Sequence, residues 1–181
     1  WYPVLGNHEY KGNTKAVLDY SEISRRWQMP GRYYSKTFVI TDSTKLLLLF
    51  TDTTPMINKY RGESGSEASC QDFNRQLRWI DSTLNASDAK WKIVMGHHPV
   101  YAGTYKAETE QTDMQERLKP VMEKHHVDFY VSGHIHYFEN IKVHDSDIDY
   151  IVNTSGSQDR SFVDKSGLLF SSGEPGFLLC T

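Results

Sequence analysis

Three times in this chain a short extended-looking segment ends in glycine and then delivers histidine. The three turns read Leu5-Gly6-Asn7-His8, Met95-Gly96-His97-His98 and Ser132-Gly133-His134-Ile135-His136. If the backbone stays extended from Gly133 to His136, the two-residue period points His134 and His136 the same way, roughly 6–7 Å apart along the chain. That spacing suits two imidazoles gripping one metal, or one ligand each for two metals about 3.5–4 Å apart. In a sheet with neighbouring strand ends the three turns converge on one rim, which is where open α/β sheets place their ligands. Neutral imidazole and carboxamide are borderline ligands suited to zinc, iron or manganese. A structural zinc would draw on cysteine, and none lies in these turns. One metal centre accounts for all three; separate polar turns would be a triple coincidence.

The elements that must position these turns are legible as patterns. Val127–Val131 is an apolar, β-branched run bounded by Ser132-Gly133, a buried strand with a tight exit. Trp91–Met95 is a second strand, ending at Gly96, and Tyr2–Leu5 a third short run, ending at Gly6. Tyr33–Ile40 and Lys45–Thr51 pair as strands across a polar turn, and Leu46–Phe50, apolar at every position, predicts burial on both faces. Ala16, Tyr20, Ile23 and Trp27 are spaced four, three and four, a helix over Lys15–Trp27 capped by Asn13 or Thr14. Phe73, Leu77, Ile80 and Leu84 define another, and Met114–Lys124 a third, kinked or started at Pro120. His125 and His126 are explained by that helix's C-terminus, with solvent beyond. Asn58–Ser69 predicts an exposed loop, and Tyr101–Gln111 a polar loop long enough to rim a site. Asn140–Val143 and Tyr150–Val152 read as strands of a meander. Thr154–Ser157 and Lys165–Pro175 read as loops, and Phe177 begins a last strand.

Composition sets the bounds. The chain has 181 residues, enough for one domain with a sizeable core. A net charge of −3, with 24% charged and 38% hydrophobic residues, gives no reason to expect nucleic acid or a membrane as partner. No apolar run approaches membrane-spanning length. Cys70 and Cys180 make no zinc spacing and form at most one disulfide, so cysteine usage leaves the compartment undecided. The chain opens at Trp1 without an initiator methionine, so its start is expected to be a processed or cut end.

Gly6-Asn7-His8-Glu9, Gly96-His97-His98-Pro99 and Gly133-His134-Ile135-His136 together resemble the later motifs of the calcineurin-like metallophosphoesterases. The segment Asp19–Trp27, then Tyr33-Tyr34, Phe50-Thr51-Asp52-Thr53, Gln76-Leu77 with Trp79, and Pro99-Val100-Tyr101 resemble the tartrate-resistant branch of the purple acid phosphatases. The resemblance covers nearly the whole chain. It implies an α/β fold, the four-layer αββα metallophosphoesterase sandwich, here incomplete, with residues 1–181 as the C-terminal part of one catalytic domain. It implies Asn7, His97 and His134 as ligands of a second metal, His136 as a ligand of the first, and His8 as the histidine that contacts phosphate and protonates the leaving oxygen. By the same resemblance His98 is not counted as a ligand, and Asp52 lies near the centre without touching substrate. The implied cofactors are two divalent or trivalent ions, iron with iron, zinc or manganese, and the implied substrate is a phosphate monoester. Phosphodiester hydrolysis, or a non-catalytic metal- or anion-binding role, is the alternative. The resemblance also implies a secreted or periplasmic location.

The departures carry expectations too. The family's Asp-x-His and Gly-Asp-x-x-Tyr motifs belong upstream of Gly6 and are absent from these 181 residues. They would supply the carboxylates and the tyrosinate, leaving here only the neutral ligands Asn7, His97, His134 and His136. This chain by itself is therefore expected to hold no ion or one, to be inactive, and to self-associate through exposed sheet edges. Tyr101–Gln111 holds no histidine, so Tyr105 or Lys106 stand in for a second substrate-contacting group.

Overall fold

The apolar run at Leu46–Phe50 forms strand β2 (Thr44–Phe50), and the sheet grows outward from it. The computed structural model describes residues 1–104, 107–153 and 167–179. β1 (Tyr34–Thr41) pairs antiparallel to β2; β3 (Trp91–Met95) and β4 (Phe129–Ser132) follow in parallel. β6 (Asp149–Val152) continues parallel to β4, and β5 (Phe138–Lys142) and β7 (Leu168–Ser172) close the order antiparallel. The seven-stranded sheet runs β1-β2-β3-β4-β6-β5-β7. The architecture is mixed α/β, as the resemblance implied, with all described strands in this sheet.

The crossovers of the parallel strands are helical. Helix α4 (Phe73–Asn85) joins β2 to β3, and α5 (Glu108–Arg117) with α6 (Lys119–Lys124) joins β3 to β4. The α4 period holds: Ile80 and Leu84 are buried against Leu47, Leu49, Val94 and Tyr130 from one face of the sheet. Met114, Leu118 and Met122 extend the same core. The helix expected over Met114–Lys124 starts six residues earlier and breaks at Leu118; Pro120, which lacks an N–H, sits in the first turn of α6.

Several expectations needed correction. Tyr2–Leu5 forms no strand; it packs as irregular chain against Tyr34 and Phe50, with Tyr34 Oη donating to the Pro3 carbonyl at 2.8 Å. Helix α2 (Thr14–Ile23) has the Asn13 cap, whose Oδ1 accepts from Ala16 N at 3.1 Å, but it ends at Ser24 rather than Trp27. Trp27 instead folds back, its indole N–H donating to the Val17 carbonyl at 3.0 Å. Asn58–Ser69 is not simply an exposed loop. It contains helix α3 (Asn58–Arg61) and a 3-10 turn at Glu67–Cys70, with Tyr60 and Ala68 buried. Polar groups hold it down: Asp113 accepts from Asn58 N at 2.7 Å and from Asn58 Nδ2 at 2.6 Å. Lys165–Pro175 was expected as loop, yet Leu168–Ser172 is strand, while Phe177–Leu179 is not. His125 is buried, and its Nε2 lies 2.7 Å from Asp81, a structural contact rather than a solvated end. Thr154–Ser157 and Cys180 lie outside the described residues; Cys70 is a free, exposed thiol.

Candidate metal centre

Each glycine-histidine turn sits where a segment leaves the sheet or its flank. Gly6 precedes α1 (Asn7–Lys11), a single turn whose first N–H, that of Gly6, is capped by Glu9 Oε2 at 2.8 Å. Glu9 is thereby turned to its own helix. A Cβ on Gly6 would stand 2.8 Å from the His97 ring, so only glycine lets the first turn approach the second. Gly96 is equally constrained, because a Cβ there would meet Tyr130 Oη at 2.5 Å and Thr53 Cγ2 at 2.6 Å.

The third turn departs from the expected geometry. His134 and His136 have φ of 75° and 69°, so the backbone is left-handed, not extended, at both. Ile135 N donates to the Gly133 carbonyl at 2.9 Å, a three-residue turn centred on His134. Gly133 N donates to the His97 carbonyl at 3.0 Å, stitching the second turn to the third. His134 and His136 still reach one site, but by a strained turn rather than by the strand period.

The five residues singled out in the sequence are brought together. Asn7, His8, His97, His134 and His136 all line one cavity of about 290 Å³, with Lys11, Lys59 and Glu110. Its sharpest feature is a convergence of donor atoms. His97 Nε2 lies 2.9 Å from Asn7 Oδ1 and 3.1 Å from His134 Nδ1. Two imidazole nitrogens and a carboxamide oxygen therefore meet at one point, the donor set that a borderline cation takes. Burial, with the neighbouring histidines, holds the His97 imidazole down to about 3, so it is neutral and able to ligate at any ordinary pH. His8 is exposed at the mouth of the cavity.

The structure adds residues that the sequence did not single out as part of the site. His98, set aside as a ligand, is fully buried beneath the pair, with one nitrogen each from His97, His98 and His134 within 4.8 Å of one another. His98 Nδ1 lies 2.8 Å from Thr53 Oγ1, and its Nε2 has no hydrogen-bond partner among the described residues. Burial keeps its pKa well below the usual imidazole range. Glu110 is 2% exposed, its Oε2 2.8 Å from His134 Nε2 and its Oε1 2.8 Å from Lys59 Nζ. Burial pushes that carboxyl up, but the hydrogen bonds from His134 and Lys59 outweigh it and bring it to about 2. Asp52 is buried, accepting from Tyr10 Oη at 2.5 Å, with Arg32 3.8 Å away. Burial raises it to about 7 despite both partners. Tyr105 and Lys106 lie outside the described residues.

Imidazoles and a carboxamide thus line a cavity in a parallel-centred α/β protein, a donor set that suits a borderline metal ion. The sequence matches the calcineurin-like phosphoesterase family over residues 1–138, and the chain belongs to that family. Purple acid phosphatase 3 of Arabidopsis thaliana is 32% identical over 191 residues, covering 98% of this chain and 50% of that protein. Tartrate-resistant acid phosphatase type 5 of Mus musculus is 28% identical over 165 residues, covering 87% of this chain and 49% of its own. The chain thus spans about half the length of the curated relatives it matches. Among solved structures, GAP50, the anchor in the inner membrane complex of Plasmodium, superposes with a TM-score of 0.76 over 96% of this chain and 55% of its own, at 24% identity, a likeness of fold. No helix among the described residues is long and apolar enough to cross a membrane.

Proposed function

We propose that these residues form part of a binuclear centre that hydrolyses phosphate monoesters in the full-length protein. The observation that carries the reading is the convergence of Asn7 Oδ1, His97 Nε2 and His134 Nδ1 on one point beside His8 and His136. Asn7, His97 and His134 would hold one ion and His136 would contribute to the other, with iron, zinc or manganese suiting the donors. Bound metal ions supply Lewis acidity and an activated nucleophile at neutral pH.

The rest of the work falls to this chain's own side chains. Lys11 and Lys59 line the cavity and make it attractive to an anionic ester. His8, exposed at the mouth, would contact the phosphate and give a proton to the departing alkoxide. The four ligand residues are all neutral, and two cations about 3.5–4 Å apart repel strongly unless carboxylates sit between them. The 181-residue chain alone is accordingly proposed to hold no ion or one, to turn over negligibly, and to self-associate. The secreted or periplasmic location implied by the resemblance belongs to the same proposal.

The test is His8→Ala in the full-length protein, assayed on an aryl phosphate monoester and the matching diester. Turnover of the monoester is expected to fall by roughly 10²–10⁴-fold, with metal content unchanged. A variant that loses metal in proportion to activity would make His8 a ligand and overturn its role. A wild type that prefers the diester would replace monoesterase with diesterase.

A further inference from the structure

Glu110 lies inside the cavity wall, on the first turns of α5, in a helix that otherwise serves the crossover between β3 and β4. Three donors surround its carboxylate. Lys59 Nζ at 2.8 Å and Tyr60 Oη at 3.0 Å occupy Oε1, both from α3, and His134 Nε2 stands 2.8 Å from Oε2. A carboxylate only accepts, so the His134 nitrogen that faces it must carry the proton. Lysine offers only donors as well, which keeps Oε1 committed and leaves Oε2 to the imidazole. In the neutral ring His134 Nδ1 is then bare, and it is the nitrogen that points at His97 Nε2 and the convergence point.

We propose that Glu110 is the positioning residue of this centre: by accepting from His134 Nε2 it fixes the tautomer and ring orientation that turn Nδ1 toward the metal. The inference rests on the metal-centre reading above and deepens it. It also gives α3 a part in the site. Lys59 and Tyr60 hold the far oxygen of Glu110, so the segment Asn58–Arg61 braces a metal ligand that it never touches. Carboxylate partners of this kind raise the basicity of a ligating imidazole and hold its plane, and their loss commonly weakens metal binding by roughly 10–100-fold.

The experiment uses the full-length protein labelled with nitrogen-15. Long-range proton–nitrogen spectra of the metal-free protein report which His134 nitrogen is protonated, and zinc titration gives the affinity. The wild type is expected to show one His134 tautomer, protonated on Nε2. Glu110→Ala and Glu110→Gln are expected to give mixed tautomers and zinc binding weakened roughly 10–100-fold. Asp81→Asn is the control: it releases Lys124 and His125, loosening α6 from α4, without touching Glu110, α3 or His134, and should leave the tautomer unchanged and the affinity near that of the wild type. An equal loss in Asp81→Asn would make Glu110 a scaffold residue only and overturn the proposal. So would a wild-type His134 protonated on Nδ1, a reading that needs no variant to fold. Because the tautomer is read without metal, it stands apart from the function proposed above, which fails instead if the wild type binds no zinc.

Discussion

His97 and His98 are neighbours in sequence with different tasks, and both are kept uncharged by burial. His97 aims Nε2 at Asn7 and His134, whereas His98 rests its Nδ1 on Thr53 and packs its ring 4.6 Å from that of His134. In the metal-free protein both imidazoles titrate below the ordinary 6.5, His97 near 3. Below pH 6.5 the unfolded chain takes up two protons that the folded chain refuses, so their stabilisation is present above that pH and lost as pH falls toward 3. Asp52 works the other way, because burial raises it from 3.8 to about 7. Between those values the folded chain holds a proton that the unfolded chain has released, so its share of stability is lost as pH rises through 7. Two protons against one leave stability falling by about 1 kcal/mol per pH unit between pH 6 and 5. Asp52→Asn should roughly double that slope, measured by urea unfolding with chelator present; equal slopes would mean that Asp52 is ionised throughout. The histidines were legible because each lies within three residues of a glycine that ends an apolar run. Glu110 was not: Glu108, Asp113 and Glu116 share its helix, and no local pattern marks which acid turns inward.

The turn from Gly133 to Tyr137 shows how an element can place ligands against its own backbone preference. Both histidines adopt left-handed backbone, which costs an L-residue roughly 1–2 kcal/mol. Replacing His136 by glycine or by alanine removes the same imidazole, but only glycine is at ease at φ 69°. His136→Gly should therefore be more stable than His136→Ala by about 1 kcal/mol in thermal unfolding of the metal-free protein. Equal stabilities would show that the turn relaxes once the imidazole is gone. The sequence pointed to residues that the fold brings together, but by another backbone route, because a two-residue period is indistinguishable from a tight turn when glycine precedes histidine. An element with a strong period, such as α4, came through with little change; β2 formed as expected but left Leu46 and Leu48 only half-buried, so its second face is not fully covered. Elements held by buried polar contacts did not come through. Helix α3 is anchored by Asp113, Glu110 and Arg117, and α5 buries Glu110, Gln111 and Asp113, so neither shows the apolar stripe that would reveal it.

At the scale of the molecule, one face of the sheet is covered and the other is not evenly so. Helices α4, α5 and α6 cover Leu47, Leu49, Val94 and Tyr130. The alternate positions in the same registers, Leu48, Ile93, Met95, Phe129, Val131 and Ile151, are only half-buried, and Trp91 is 43% exposed. Two edges border this face. On β1, Lys36 supplies charge of the kind that discourages edge-to-edge pairing. On β7, the sequence Leu168-Leu169-Phe170-Ser171-Ser172 carries no charge, and Leu169 and Phe170 are 65% and 58% exposed. An uncharged apolar edge beside a half-covered apolar face is the arrangement that pairs with another copy. The 181-residue chain should therefore self-associate as its concentration rises through the micromolar range, seen by sedimentation velocity as a rising average mass. Phe170→Lys places a charge on the edge at a position already in solvent, so it should move the population toward monomer with thermal stability nearly unchanged. If the parent chain sediments as a monomer throughout, or if Phe170→Lys leaves the association as it was, the β7 edge is not where the copies meet.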